Sequence, residues 1–71
     1  MIILRQKIAC RKEKYKRGDR VELVKMEDVQ APPVGTRGTV KFVDDLGTVF
    51  VSWDNGSGLG AAMGADVIRK V

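Results

Sequence analysis

The side chains that could do chemistry in this sequence are its carboxylates, because it contains no histidine and a single cysteine, Cys10. Without histidine there is no ordinary general base near neutral pH, no Ser-His or Cys-His pair, and no histidine-containing metal site. One thiol builds neither a thiolate zinc site nor a redox pair. Ser52 and Ser57 have no evident base to activate them. Glu27-Asp28, Asp44-Asp45 and Asp54 remain, all in stretches that read as loops. Loop oxygens can hold hard cations such as calcium. Aspartate and asparagine also bond their own backbone in turns, and that simpler role fits these positions better. No catalytic residue, cofactor or metal is expected, and the chain is read as non-enzymatic.

A second chemistry is electrostatic. The net charge is +4, unevenly spread. Residues 1–17 carry Arg5, Lys7, Arg11, Lys12, Lys14, Lys16 and Arg17 against Glu13 alone, giving +6, and the rest of the chain carries −2. Such a basic arm can bind phosphates with salt-dependent affinity, lie on an acidic surface, or simply stay solvated. Tyr15 is its only aromatic, which argues against sequence-specific nucleic-acid recognition.

These residues must be carried by a small fold. A chain of 71 residues allows one domain and buries only about 60% of its unfolded surface. The apolar run at 1–4 is too short for a signal-peptide core or a membrane span, and one cysteine implies no oxidising compartment. Cytoplasmic residence is the expectation. Monomer and homodimer both stay open, an intermolecular disulfide at Cys10 being one route to the latter.

The strand pattern is clearest in 35–56. Runs TVKFVD and TVFVSW are rich in Val, Phe, Thr and Trp, with Asp44-Asp45-Leu46-Gly47 between them and Asp54-Asn55-Gly56 behind. This reads as a hairpin followed by a second tight turn, with Gly47 and Gly56 at positive φ. Alternation puts Val49, Val51 and Trp53 on one side, expected buried, and Phe50 with Ser52 on the other. Further strands are expected at 20–25, weakly at 57–63, and at 67–71, with a loop at 26–34 that holds Pro32-Pro33. Residues 1–17 lack Gly and Pro, and Leu4, Ile8 and Tyr15 fall near helical spacing, interrupted by Arg11 and Lys12. The fold class is all-β: a five-stranded barrel over 18–71 preceded by a basic arm or short helix over 1–17. Every predicted strand lies after residue 19, so the arm is expected to be separable.

The run RGDRVELVKMEDVQAPPVGTRGTVKFVDDLGTVFVSWDNGSGLG resembles domain-of-unknown-function family 4314, a compact bacterial domain frequent in phage and mobile-element genes. The G-D-R-V-x-L opening, the A-P-P-x-G-T-x-G-T-V segment and the V-D-D-x-G…V-x-W-D-N-G-S ending carry the resemblance, over residues 18–71. It implies an SH3-like barrel and brings no activity. The W-D-N-G ending is also similar to the mind-bomb/HERC domain of ubiquitin ligases, a substrate-binding barrel. The spacing of Gly18-Asp19-Arg20-Val21 to Gly35-Thr36-Arg37-Gly38-Thr39-Val40 is similar to the KOW element of ribosome- and RNA-associated proteins.

The expected function is a non-catalytic binding module. A protein or peptide partner would sit beside the 26–34 loop, using Met26, Pro32 and Pro33, with Phe42 or Phe50 as an apolar platform. The alternative is non-specific nucleic-acid binding through the seven cations of the arm.

Overall fold

The computed structural model describes residues 4–71, with side chains from Arg5 onward. The rest of the apolar run at 1–4, and the side chain of Leu4 on the expected helical stripe, lie outside the described residues. Helix α1 (Leu4–Lys14) precedes strands β1 (Arg20–Lys25), β2 (Arg37–Val43), β3 (Val49–Trp53) and β4 (Val67–Lys70). The strands form one antiparallel sheet in the order β3-β2-β1-β4. β1 occupies its predicted residues, while the other boundaries move by one or two.

The sheet stays open, with β3 and β4 at its edges, rather than closing as five strands. Residues 57–63, expected as a weak strand, contribute one bridge in which Ala61 and Val49 exchange N–H···O bonds of 2.8 and 2.9 Å. The physical reason lies in the segment itself. Gly58 and Gly60 offer no side chain to pack on a pleated face. Two of its carbonyls are already engaged, Ser57 by the Trp53 backbone N–H and Leu59 by the Trp53 indole Nε1 at 2.8 Å.

One face of the sheet is the core. Val21 and Leu23 of β1, Val40 of β2, Val49, Val51 and Trp53 of β3, and Ile68 of β4 are all buried on it. The Val-Val-Trp face of β3 is therefore inward, as its alternation predicts. Ala61 and Tyr15 complete the cluster, with Tyr15 only 4% exposed.

Tyr15 makes α1 more than an arm. Ile8, Arg11 and Tyr15 share a helical stripe toward the sheet. Arg11, which breaks the apolar pattern in the sequence, belongs to the stripe as a hydrogen-bond donor. Its Nε donates to the Gly47 carbonyl at 2.8 Å, and its guanidinium lies 5.5 Å from the Tyr15 ring centroid. An 11-residue helix is marginal by itself in water, so this docking stabilises it. The core thus crosses the boundary expected at residue 17.

The 44–47 turn shows how local chemistry fixes the hairpin. One Asp44 carboxylate oxygen accepts the N–H groups of Leu46 and Thr48, each at 2.9 Å, and Gly47 has φ of 82°. Gly56 also lies at positive φ. A Cβ added at Gly47 would sit 2.9 Å from Met63 Sδ and 3.3 Å from Ile8 Cγ1. Gly47→Val is therefore expected to cost about 2–4 kcal/mol, from left-handed strain plus overpacking. Thr48→Val, which keeps a strand former, should cost under about 1 kcal/mol. Equal urea midpoints for the two variants would contradict this placement of the turn. No helix among the described residues is long and apolar enough to cross a membrane.

Candidate functional site

The site begins with a break in alternation. Val40 pairs with Val51 and Phe42 with Phe50, so Lys41 is an extra residue in β2. Without that bulge, inward Val40 would place Phe42 inward too. The bulge re-aims it, and Lys41 and Phe42 both reach the outer face. Phe42 is 52% exposed, and its ring stacks on that of Phe50 with centroids 4.7 Å apart and planes 20° from parallel. Phe50 is half-buried and braced from behind. The backbone at Gly60 passes so close that an added Cβ would meet Phe50 Cδ1 at 3.3 Å and Thr48 Cγ2 at 2.7 Å. The stack is thus fixed on one side and open on the other.

Cations are brought to this pair by the connection from α1 to β1. Lys16 and Asp19 close a turn, with the Asp19 N–H donating to the Lys16 carbonyl and the Lys16 N–H to the Asp19 carboxylate, both at 2.9 Å. Gly18 N–H donates to the Val40 carbonyl at 2.9 Å, and Val40 N–H to the Asp19 carbonyl at 2.8 Å. These bonds lay residues 16–19 against β2 beside the bulge. Phe42 lines two open hollows. One, of about 450 Å³, is lined by Arg17, Thr39, Lys41, Phe42 and Ser52 among others. The other, of about 460 Å³, is lined by Lys12, Lys16, Arg17, Lys41 and Phe42 among others. No described carboxylate lines either.

The acidic side chains are engaged elsewhere. Asp45 pairs with Lys12 at 2.7 Å, Asp54 with Arg20, Glu22 with both Arg69 and Arg37, and Asp19 with Lys70 at 3.2 Å. Hydrogen bonds from these partners hold the Asp45, Asp54 and Glu22 carboxyls below the usual carboxylate range. Asp19 is lowered first by the Lys16 backbone N–H and then by Lys70. Asp28 accepts the Gln30 N–H at 2.8 Å, a turn role like that of Asp44. No cluster of three or more metal-ligating side chains occurs among the described residues. Lys16, Arg17 and Lys41 form no salt bridge with any described residue. Of the cations that line the hollows, Lys12 is thus paired with Asp45, while Lys16, Arg17 and Lys41 leave the face around Phe42 with a positive excess.

A family model for a domain of unknown function, DUF4314, matches residues 4–71. The chain belongs to this family. The matched span takes in α1 as well as the sheet, wider than the 18–71 over which its motifs are quoted. No curated protein and no solved structure matches the chain.

In this DUF4314 chain the residues singled out from the sequence regroup. Phe42 and Phe50 come together, but away from Met26, Pro32 and Pro33. The 26–34 loop enters β2 at its start, fixed there by Gly35 N–H donating to the Leu23 carbonyl at 2.8 Å. Phe42 stands five residues beyond Arg37, about 16 Å along an extended strand. Met26 packs partly against the core and Pro32 is buried, while Pro33 is exposed. Of the seven arm cations, Lys12, Lys16 and Arg17 line the hollows beside Phe42. Arg11 and Lys14 flank the Tyr15 ring, and Arg5 and Lys7 are exposed on α1 outside both hollows. Lys41 and Thr39 join the site without having been singled out as binding residues, and Ser52, weighed only as a nucleophile without a base, joins them. One signal for Lys41 was present: Val40-Lys41-Phe42-Val43 places two residues between inward valines where strict alternation allows one.

Proposed function

We propose that the domain is a non-catalytic binding module that holds nucleic acid on the face around Phe42. The observation that carries this reading is the exposed aromatic stack ringed by Lys16, Arg17 and Lys41, none of them salt-bridged to a described residue. Cations neutralise phosphates and release counterions, and no described carboxylate lines the hollows to repel them. Turn and ion-pair roles for the carboxylates support the non-catalytic part. A protein or peptide partner at the 26–34 loop is the second reading, favoured by the exposure of Val29 and Val34 beside Pro33. In either case the domain is read as an SH3-like barrel with 57–63 as an incomplete closing strand, in a cytoplasmic protein of bacterial or mobile-element origin.

The test uses the full chain and a labelled oligonucleotide. Three phosphate contacts predict a log-log salt slope of about −2 on a single strand. Reversing Arg17 and Lys41 to Glu together is expected to weaken binding more than about tenfold at low salt and to flatten the slope, with the thermal midpoint little changed. Unchanged binding by the double variant would overturn the assignment to this face. Retained affinity for a captured peptide, lost when Pro33 and Val34 are replaced, would favour the loop.

A further inference from the structure

Resting on that reading, we infer that the face selects single-stranded over duplex nucleic acid by stacking one base on the open side of Phe42. The ring faces solvent on one side and Phe50 on the other, 4.7 Å away, so its orientation is fixed before any ligand arrives. Little side-chain freedom is left to lose on binding. A base in a duplex already has its two π-faces covered by its neighbours, whereas an unpaired base can give one to the ring.

The hollows supply the rest of the path. Phe42, Arg17 and Lys41 line both, the first reaching on to Thr39 and Ser52 and the second to Lys12 and Lys16. A strand crossing the ring would therefore keep phosphates near cations before and after the stacked base. Among the described residues, no Asn, Gln or carboxylate lines the same hollows. Thr39 accepts a bond from Arg20 Nη1 at 3.0 Å, which leaves the short Ser52 hydroxyl beside it to meet a base edge. Recognition of a base edge is thus poorly provided for, and the preference is for strandedness rather than sequence. Phosphate contact alone would not produce that preference, since a duplex presents the denser charge.

The experiment measures anisotropy of a labelled single-stranded 12-mer and of the corresponding duplex against the full chain. Phe42→Leu keeps apolar bulk at an exposed position, while Phe42→Trp keeps a stacking surface. Phe42→Leu is expected to lose about 5- to 100-fold on the single strand, the range for one base–aromatic stack, and less than about twofold on the duplex. Phe42→Trp is expected to bind the single strand at least as well as the parent. Equal affinity of the parent for both forms, or no effect of Phe42→Leu on the single strand, would overturn the inference. The proposed function would survive that result if charge reversal at Arg17 and Lys41 still abolished binding. Binding of a poly-glutamate peptide as tight as that of the oligonucleotide would overturn both.

Discussion

Trp53→Ala is expected to bring the domain close to unfolding in water. Trp53 is 2% exposed at the end of the inward face of β3, among Val49, Val51 and Leu23 of the same core. Removing a buried aromatic costs about 3–5 kcal/mol, through lost transfer energy and the cavity left behind. At roughly 0.05–0.15 kcal/mol per residue, a chain of this length has a total of about 4–11 kcal/mol. The loss also has a local part. The indole Nε1 donates to the Leu59 carbonyl, so the side chain fastens the 57–61 segment that braces Phe50. Trp53→Phe keeps most of the apolar area and loses the indole bond, at a cost of about 1–2 kcal/mol. Urea unfolding followed by far-ultraviolet circular dichroism checks both. A Trp53→Ala midpoint within error of the parent would contradict this placement of the indole.

The parts of the fold that could be read from the sequence are those where side-chain type and local chemistry agree. Arg20 to Lys25 alternates cleanly and becomes β1. Asp44 to Gly47 has both the carboxylate and the glycine its turn needs. Legibility fails where a residue's role depends on something distant. Residues 57–63 are glycine-rich and only weakly patterned as a strand, and two of their carbonyls, those of Ser57 and Leu59, are claimed by Trp53. Arg11 looks like an interruption of a helical stripe because its partner, Gly47, lies 36 residues away.

The site was harder to read for the same reason. Its residues come from the α1–β1 connection, β2 and β3, brought together by the bonds of Gly18 and Asp19 to Val40 and by the pairing of β2 with β3. In the sequence, Phe42 and the cations of the arm lie in separate stretches and point to different modes of binding. The bulge at Lys41 makes them one surface, and a one-residue change in pairing is invisible to composition.

Deleting residues 1–17 is expected to unfold the domain, although every strand lies beyond them. The deletion removes Tyr15, buried among the core residues and bonded through its hydroxyl to the Ile68 carbonyl at 3.4 Å. It removes the Arg11 bond to Gly47, the packing of Ile8 beside that turn, and the Lys70 Nζ bond to the Lys14 carbonyl at 3.0 Å. Loss of the buried aromatic alone is worth about 3–5 kcal/mol, and the exposed core surface left behind gains no other cover. Tyr15→Ala in the full chain should therefore cause most of the same loss, while Tyr15→Phe, which gives up one long hydrogen bond, should cost about 1 kcal/mol or less. Circular dichroism with urea titration separates the outcomes: a fragment of residues 18–71 with a cooperative transition at the parent midpoint would show that the helix is dispensable. The consequence for function is practical. Loss of nucleic-acid binding on deletion would report unfolding as much as lost charge, so the role of the cations is resolved by reversing them in the intact chain, as in the Arg17 and Lys41 double variant.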